Sequence, residues 1–193
     1  MNPAFVEVVE ESTIRARVAQ LGSEISQDYV GREPVVIGVL KGSVPFLADL
    51  TRHLPHRIET DFLALTRFGH DGRVSIAMDI SIPVIDRPVL IVEDIVDTGL
   101  TLATLRKMLT AKGAAEVRTV ALLDKTTRRI VEVPVEYRGF EVGDEFLLGY
   151  GLDWNGRYRN VRSLWAVMDL ARLKADPQSF GEVAYRTGAP ASG

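Results

Sequence analysis

Residues 87–113 read RPVLIVEDIVDTGLTLATLRKMLTAKG. The aliphatic run Val89-Leu90-Ile91-Val92 has the character of a strand buried on both faces. Glu93 and Asp94 stand at its end. Asp97-Thr98-Gly99-Leu100-Thr101 then opens a helix that closes at a C-cap glycine, Gly113. Strand, polar loop and helix in this order form the repeating unit of a parallel α/β sheet.

The same grammar extends in both directions. Upstream, PVVIGVL (34–40) is a short β-branched strand, KGS (41–43) a turn, and VPFLADLTRHL (44–54) a helix. Downstream, EVRTVALLD (116–124) is the next strand, followed by the polar loop DKTTRR (124–129). Between these units, residues 57–68 and 73–80 read as a strand hairpin around the tight turn GHDG (69–72). Ile14, Val18, Leu21 and Ile25 recur at helical spacing within 12–30. Two late apolar runs, 145–150 and 163–170, read as strands. The expected fold is a parallel α/β sheet with helices on both faces and a small hood or flap. The expected domain is a single one over 1–180, with a disordered tail over 181–193 whose end, GAPASG from Gly188, is small and polar.

Composition narrows the function. The chain has 193 residues, 46% hydrophobic and 25% charged, within the range of ordinary globular domains. Its formal net charge of −3 argues against a general nucleic-acid binder, whose affinity rests on phosphate neutralisation. The absence of cysteine excludes disulfides, thiolate zinc sites and thiol nucleophiles. The acidic start MNPAFVEVVEES lacks a basic segment followed by an apolar run, so no signal peptide is expected. No apolar run approaches the roughly 20 residues of a membrane span. A cytoplasmic protein is expected.

Ligands of parallel sheets bind beyond the carboxyl ends of the strands. That rule selects four loops: 41–43, 93–101, 124–129 and 149–157. In the second, Asp97 through Thr101 stand where free N–H groups and the helix dipole favour a phosphate. Gly99 allows close backbone approach, and Thr98 and Thr101 supply hydroxyls. Acids beside a phosphate repel it unless a cation or the ligand's hydroxyls intervene, so Glu93 and Asp94 point to Mg²⁺ or to hydroxyl binding. By position alone the loop also suits a capped helix, with Asp97 or Thr98 as N-cap. It lacks both the GxxxxGK[ST] and GxGxxG patterns.

VLIVEDIVDTGLTL closely resembles the phosphoribosyl-pyrophosphate signature of the type I phosphoribosyltransferases, and its Glu-Asp-Ile-Val-Asp-Thr-Gly form resembles the hypoxanthine-guanine branch. The resemblance covers roughly residues 5–170. It implies that Glu93 and Asp94 hold ribose hydroxyls, partly through Mg²⁺, and that Asp97, Thr98, Gly99, Leu100 and Thr101 cradle the 5′-phosphate. Asp97 is also implied as proton acceptor from the purine ring. Leu-Lys-Gly-Ser at 40–43 matches the family's pyrophosphate loop, which implies Lys41, Gly42 and Ser43 as ligands, with Arg159 reaching the same group. Lys125 matches a lysine that donates to the 6-oxygen of a purine, and thereby favours 6-oxopurines over adenine.

Residues 146–153 resemble the purine pocket. Phe146 is implied to stack on the base, Leu147 to meet its edge and Leu152 to pack against it. Asp153 is implied to hold a second Mg²⁺. Arg128 and Arg129 read as surface charges or a subunit contact. The family's lid carries Ser-Tyr where this chain has Thr66-Arg67-Phe68, and the turn that follows is shorter than usual. Family assembly implies a homodimer or homotetramer. Two rivals differ in class: a relative acting on xanthine or another base, and a non-catalytic nucleotide-sensing regulator that binds RNA.

Overall fold

The structure is a computed structural model that describes residues 3–68 and 73–187. In chain order the elements are β1 (Phe5–Val9), α1 (Glu11–Asp28), β2 (Val35–Leu40), α2 (Val44–Thr51), β3 (Glu59–Phe68) and β4 (Arg73–Met78). They continue with β5 (Pro88–Val96), α3 (Leu100–Ala111), β6 (Glu116–Asp124), a 3₁₀ turn (Thr126–Arg128) and β7 (Tyr137–Glu141). The last are β8 (Phe146–Leu148), β9 (Leu164–Val167), α4 (Leu170–Ala175) and α5 (Ser179–Thr187).

The chain divides into two compact units, where a single domain over 1–180 was expected. The larger, residues 17–144, is built on a six-stranded sheet ordered β4-β3-β2-β5-β6-β7. Every pairing is parallel except β3 with β4. Val35, Val36, Ile37 and Val39 alternate in direction along β2, yet all are buried, as in a strand covered on both faces. Leu102, Leu105 and Leu109 line the buried face of α3, and they pack with Val89 and Ile91 of β5 and Ala121 of β6 in one core. Connections from β2 lead through α2 to β3 on one side, whereas β5 and β6 lie on the other. The β2/β5 boundary is therefore where the winding direction reverses, the usual ligand crevice of such sheets.

The smaller unit comprises residues 1–16 and 145–193, of which 3–16 and 145–187 are described. Its sheet is antiparallel, ordered β1-β9-β8. Phe180 of α5 is fully buried there against the rings of Phe5, Tyr158 and Trp165, each in an edge-to-face arrangement.

Several expectations change. Residues 181–187 are helical within α5, so the boundary between domain and tail at 180 falls inside an element held by Phe180 and Ala184. The loop 149–157 follows a strand of the antiparallel sheet, so the carboxyl-end rule of parallel sheets does not account for it. Strands β1 and β7 form from segments without a clear apolar alternation, and helix α2 ends at Thr51. The turn 69–72 and the tail from Gly188 lie outside the described residues. In the flap, Thr66 and Ser75 pair through their hydroxyls at 3.0 Å across β3 and β4.

Candidate active site

Three of the four expected loops stand side by side at the carboxyl ends of β2, β5 and β6. Strand β5 is longer than its apolar run suggests, and Glu93 and Asp94 belong to it. Glu93 is only 5% exposed, and burial, then the negative charge of Asp94, hold its carboxyl well above the usual carboxylate range. Asp94 accepts the N–H of Ile95 through Oδ1 at 2.9 Å. A Cβ on Gly42 would stand 1.6 Å from Asp94 Oδ2, so only glycine lets the 41–43 turn lie against this carboxylate. Ser43 is fully buried and its hydroxyl donates to Val39 O at 2.6 Å, which fixes the turn. Lys41 is exposed.

Asp97 and Thr98 lead into α3, and the Thr98 hydroxyl accepts the N–H of Leu100, its first residue, at 3.5 Å. The N-cap is Gly99 at φ +84°, with no side-chain hydrogen bond. A side chain here would meet Val131 O at 2.5 Å as well as strain the backbone. The amides of Ile130 and Val131 both donate to Thr98 O, at 2.9 and 3.1 Å, and that of Lys125 donates to Val96 O at 2.9 Å. The segment from 125 to 131 is thereby stitched to the loop that opens α3. Lys125 is 6% exposed, which departs from an ordinary surface lysine.

Arg128 and Arg129 are not mere surface charges. Arg128 Nε lies 2.8 Å from Asp97 Oδ1, but its N–H is not directed at that oxygen, so the contact is charge without a hydrogen bond. Arg129 donates to Asp97 O at 3.2 Å and pairs with Asp124. Asp124 is fully buried, and its other oxygen lies 2.6 Å from Arg138 Nε. Sequence reasoning missed this network because it is tertiary; its one visible signal was an acid placed directly after the apolar run of β6.

In the smaller unit, residues 149–159 form a tight double turn with isolated bridges Gly149–Leu152 and Trp154–Arg157. Tyr150, Asn155 and Tyr158 take positive φ, a cost borne where surrounding contacts impose it. Asp153 pairs with Arg159 at 2.6 Å and accepts the N–H of Gly156 at 2.6 Å. Arg159 also donates to Gly151 O at 2.5 Å. Leu147 and Leu152 are buried, whereas Phe146 is 37% exposed with the Trp154 ring edge-to-face at 5.5 Å.

Among the described residues no group of three acidic or histidine side chains converges to hold a cation by itself. Two adjacent carboxylates, one of them buried and destabilised by the other, suit an ion that takes its remaining ligands from a substrate and water, as Mg²⁺ commonly does.

The family model described as "Phosphoribosyl transferase domain" matches residues 7–155, and the chain belongs to this family. Among its relatives is the hypoxanthine-guanine phosphoribosyltransferase of Lactococcus lactis subsp. lactis, 42% identical over 158 residues, 80% of this chain and 86% of the relative. The Bacillus subtilis enzyme of the same name is 40% identical over 80% of this chain and 88% of the relative. A solved hypoxanthine-guanine phosphoribosyltransferase from Bacillus anthracis superposes with a TM-score of 0.82 at 37% identity, covering 84% of this chain and 98% of the other. The Staphylococcus aureus hypoxanthine phosphoribosyltransferase gives 0.81 at 32%, covering 84% and 90%.

Proposed function

We propose that this phosphoribosyltransferase serves purine salvage, moving the phosphoribosyl group of Mg-bound phosphoribosyl pyrophosphate to hypoxanthine or guanine with release of pyrophosphate. The observation that carries this reading is the Asp97–Thr101 loop opening α3 beside the 41–43 turn, with Gly42 packed on Asp94 more tightly than any Cβ permits. The names of relatives near 40% identity support the choice of base.

The reaction displaces pyrophosphate from C1′ of the ribose as a purine ring nitrogen attacks, through a transition state with oxocarbenium character. Residues 97–101 hold the 5′-phosphate with backbone N–H groups and the hydroxyls of Thr98 and Thr101. Lys41 and the backbone of Gly42 and Ser43 face the departing pyrophosphate and oppose its charge. Glu93 and Asp94 would accept from the ribose hydroxyls and hold the cation, which would oppose the charge of the leaving group. Lys125 donates to the 6-oxygen of the base and Phe146 stacks on its face, an interaction worth roughly 1–3 kcal/mol. Leu147 and Leu152 line the base edge. Asp97 accepts the ring proton. Asp153 and Arg159 already compensate each other, so their parts on a second cation and on pyrophosphate require that pair to open.

Among the described residues no helix is long and apolar enough to cross a membrane. A cytoplasmic site of action is the one we assign from the family, and the net charge of −3 speaks against a general nucleic-acid partner. A homodimer or homotetramer is the assembly we assign from the family, and sedimentation equilibrium tests it. The activity itself is tested by incubating the protein with phosphoribosyl pyrophosphate, Mg²⁺ and either base. IMP or GMP should form, and formation should stop with chelator and resume with Mg²⁺. No nucleotide from either base would overturn the reading, and full turnover in metal-free buffer would overturn the cation's part in it.

A further inference from the structure

Two adjacent arginines after Lys125 are held in opposite ways. Arg129 is 11% exposed, ion-paired to the fully buried Asp124 and bonded to Asp97 O. It cannot leave without stranding a buried carboxylate. Among the described residues the Arg128 side chain pairs with the Asp97 carboxylate, and the two side chains are 46% and 42% exposed. An exposed pair without a directed hydrogen bond contributes little stability and separates easily. Its backbone anchor is nonetheless fixed, because Ile130 and Val131 donate to Thr98 O and hold the 3₁₀ turn against the start of α3. A mobile guanidinium is thus tethered beside the N–H groups assigned to the 5′-phosphate.

The electrostatics of that place are awkward. A phosphate at the start of α3 would stand close to the Asp97 carboxylate, and like charges repel. The Asp97 carboxylate is also covered by the Arg128 guanidinium, 2.8 Å from its Oδ1, on the side where a purine would have to approach it. One movement resolves both problems. We propose that Arg128 is an exchangeable counter-ion: it pairs with Asp97 in the arrangement seen here, moves to the 5′-phosphate when the cosubstrate binds, and so frees Asp97 to accept the purine proton. Phosphate is the stronger attractor here, since it can take a charge-assisted, bidentate contact where the Asp97 contact has no directed hydrogen bond.

The proposal rests on the reading of residues 97–101 as the phosphate site, and its test separates the two. Ribose 5-phosphate carries the phosphate without pyrophosphate or purine. Its affinity can be measured by calorimetry for the native protein, Arg128→Gln, Arg128→Lys and Asp97→Asn. We expect Arg128→Gln to bind at least about fivefold more weakly, Arg128→Lys to fall between, and Asp97→Asn to bind more tightly than native. In turnover, Arg128→Gln should raise KM for phosphoribosyl pyrophosphate by a similar factor, with a smaller change in kcat. Native binding of ribose 5-phosphate with Arg128→Gln equal or tighter would overturn the exchange and leave the phosphate loop standing. Failure of the native protein to bind it would overturn the loop reading and the exchange together.

Discussion

The loop after β5 and the double turn after β8 treat charge differently. In the first, Asp97 follows the two acids that close β5, Glu93 and Asp94, and it is opposed by a half-exposed arginine without a hydrogen bond. In the second, Asp153 and Arg159 neutralise each other at 2.6 Å, and each also holds a backbone group of its own turn. The lesson is one of division of labour. The first keeps an ion pair that no directed hydrogen bond locks, as the proposed exchange with a phosphorylated ligand requires. A turn that must hold positive φ at Tyr150, Asn155 and Tyr158 spends its charges on its own shape.

The sharpest way to break this contrast is at Asp97. Asp97→Asn keeps the shape but removes the charge, and kcat should fall roughly 10²–10⁴-fold, the usual span for a lost general base. Steady-state kinetics should show phosphoribosyl pyrophosphate binding undiminished. Near-native kcat with poor cosubstrate affinity would make Asp97 a loop residue only.

The next effect is on stability. Asp124→Ala strands Arg129 and Arg138 around a fully buried position and should cost about 3–5 kcal/mol in urea unfolding. Asp153→Ala removes a partly exposed pair and should cost no more than about 1 kcal/mol plus a small turn contribution. Equal losses would refute the distinction between buried clamp and surface turn. For base choice, if Lys125 reads the 6-oxygen as proposed, Lys125→Met should lower kcat/KM for hypoxanthine at least about tenfold, roughly 1.4 kcal/mol, because the oxygen loses its donor.

The smallest effect concerns the base of the flap and its pH dependence. Burial raises the Asp61 carboxyl, but the N–H groups of Ile82, Phe62 and Ser81 and the Ser81 hydroxyl outweigh it and hold the pKa below the usual value. A depressed folded pKa stabilises above the unfolded value of about 3.9 and loses that contribution as pH falls through the folded one. Asp61→Asn should therefore lower the urea midpoint at pH 7, with the gap to native narrowing at pH 3. A constant gap would show that the carboxylate's charge is not what fastens residues 81–82.

The parts that could be read from sequence were those whose physics is local. Val89–Val92 and Val35–Val39 announce strands covered on both faces by composition alone, and the phosphate loop is contiguous, so its acids, glycine and hydroxyls are visible in order. β7, with Arg138 and Glu141 in five residues, forms because it pairs at the edge of the sheet with β6, which no local pattern reveals. The helix over 179–187 depends on Phe180 reaching a cluster of distant rings. The Arg128–Asp97 pair likewise joins positions separated in sequence and became legible only once the backbone bonds to Thr98 placed it, whereas Arg129 and Asp124 stand five residues apart in one loop.

The central claim is that this site transfers phosphoribosyl to a base read at its 6-oxygen. Its most direct measurement is a competition in which hypoxanthine, guanine, xanthine, adenine and uracil are supplied together with limiting phosphoribosyl pyrophosphate and Mg²⁺, and the nucleotides formed are separated and counted. The account predicts that IMP and GMP dominate and that AMP and UMP stay minor. Predominant AMP or UMP would contradict it.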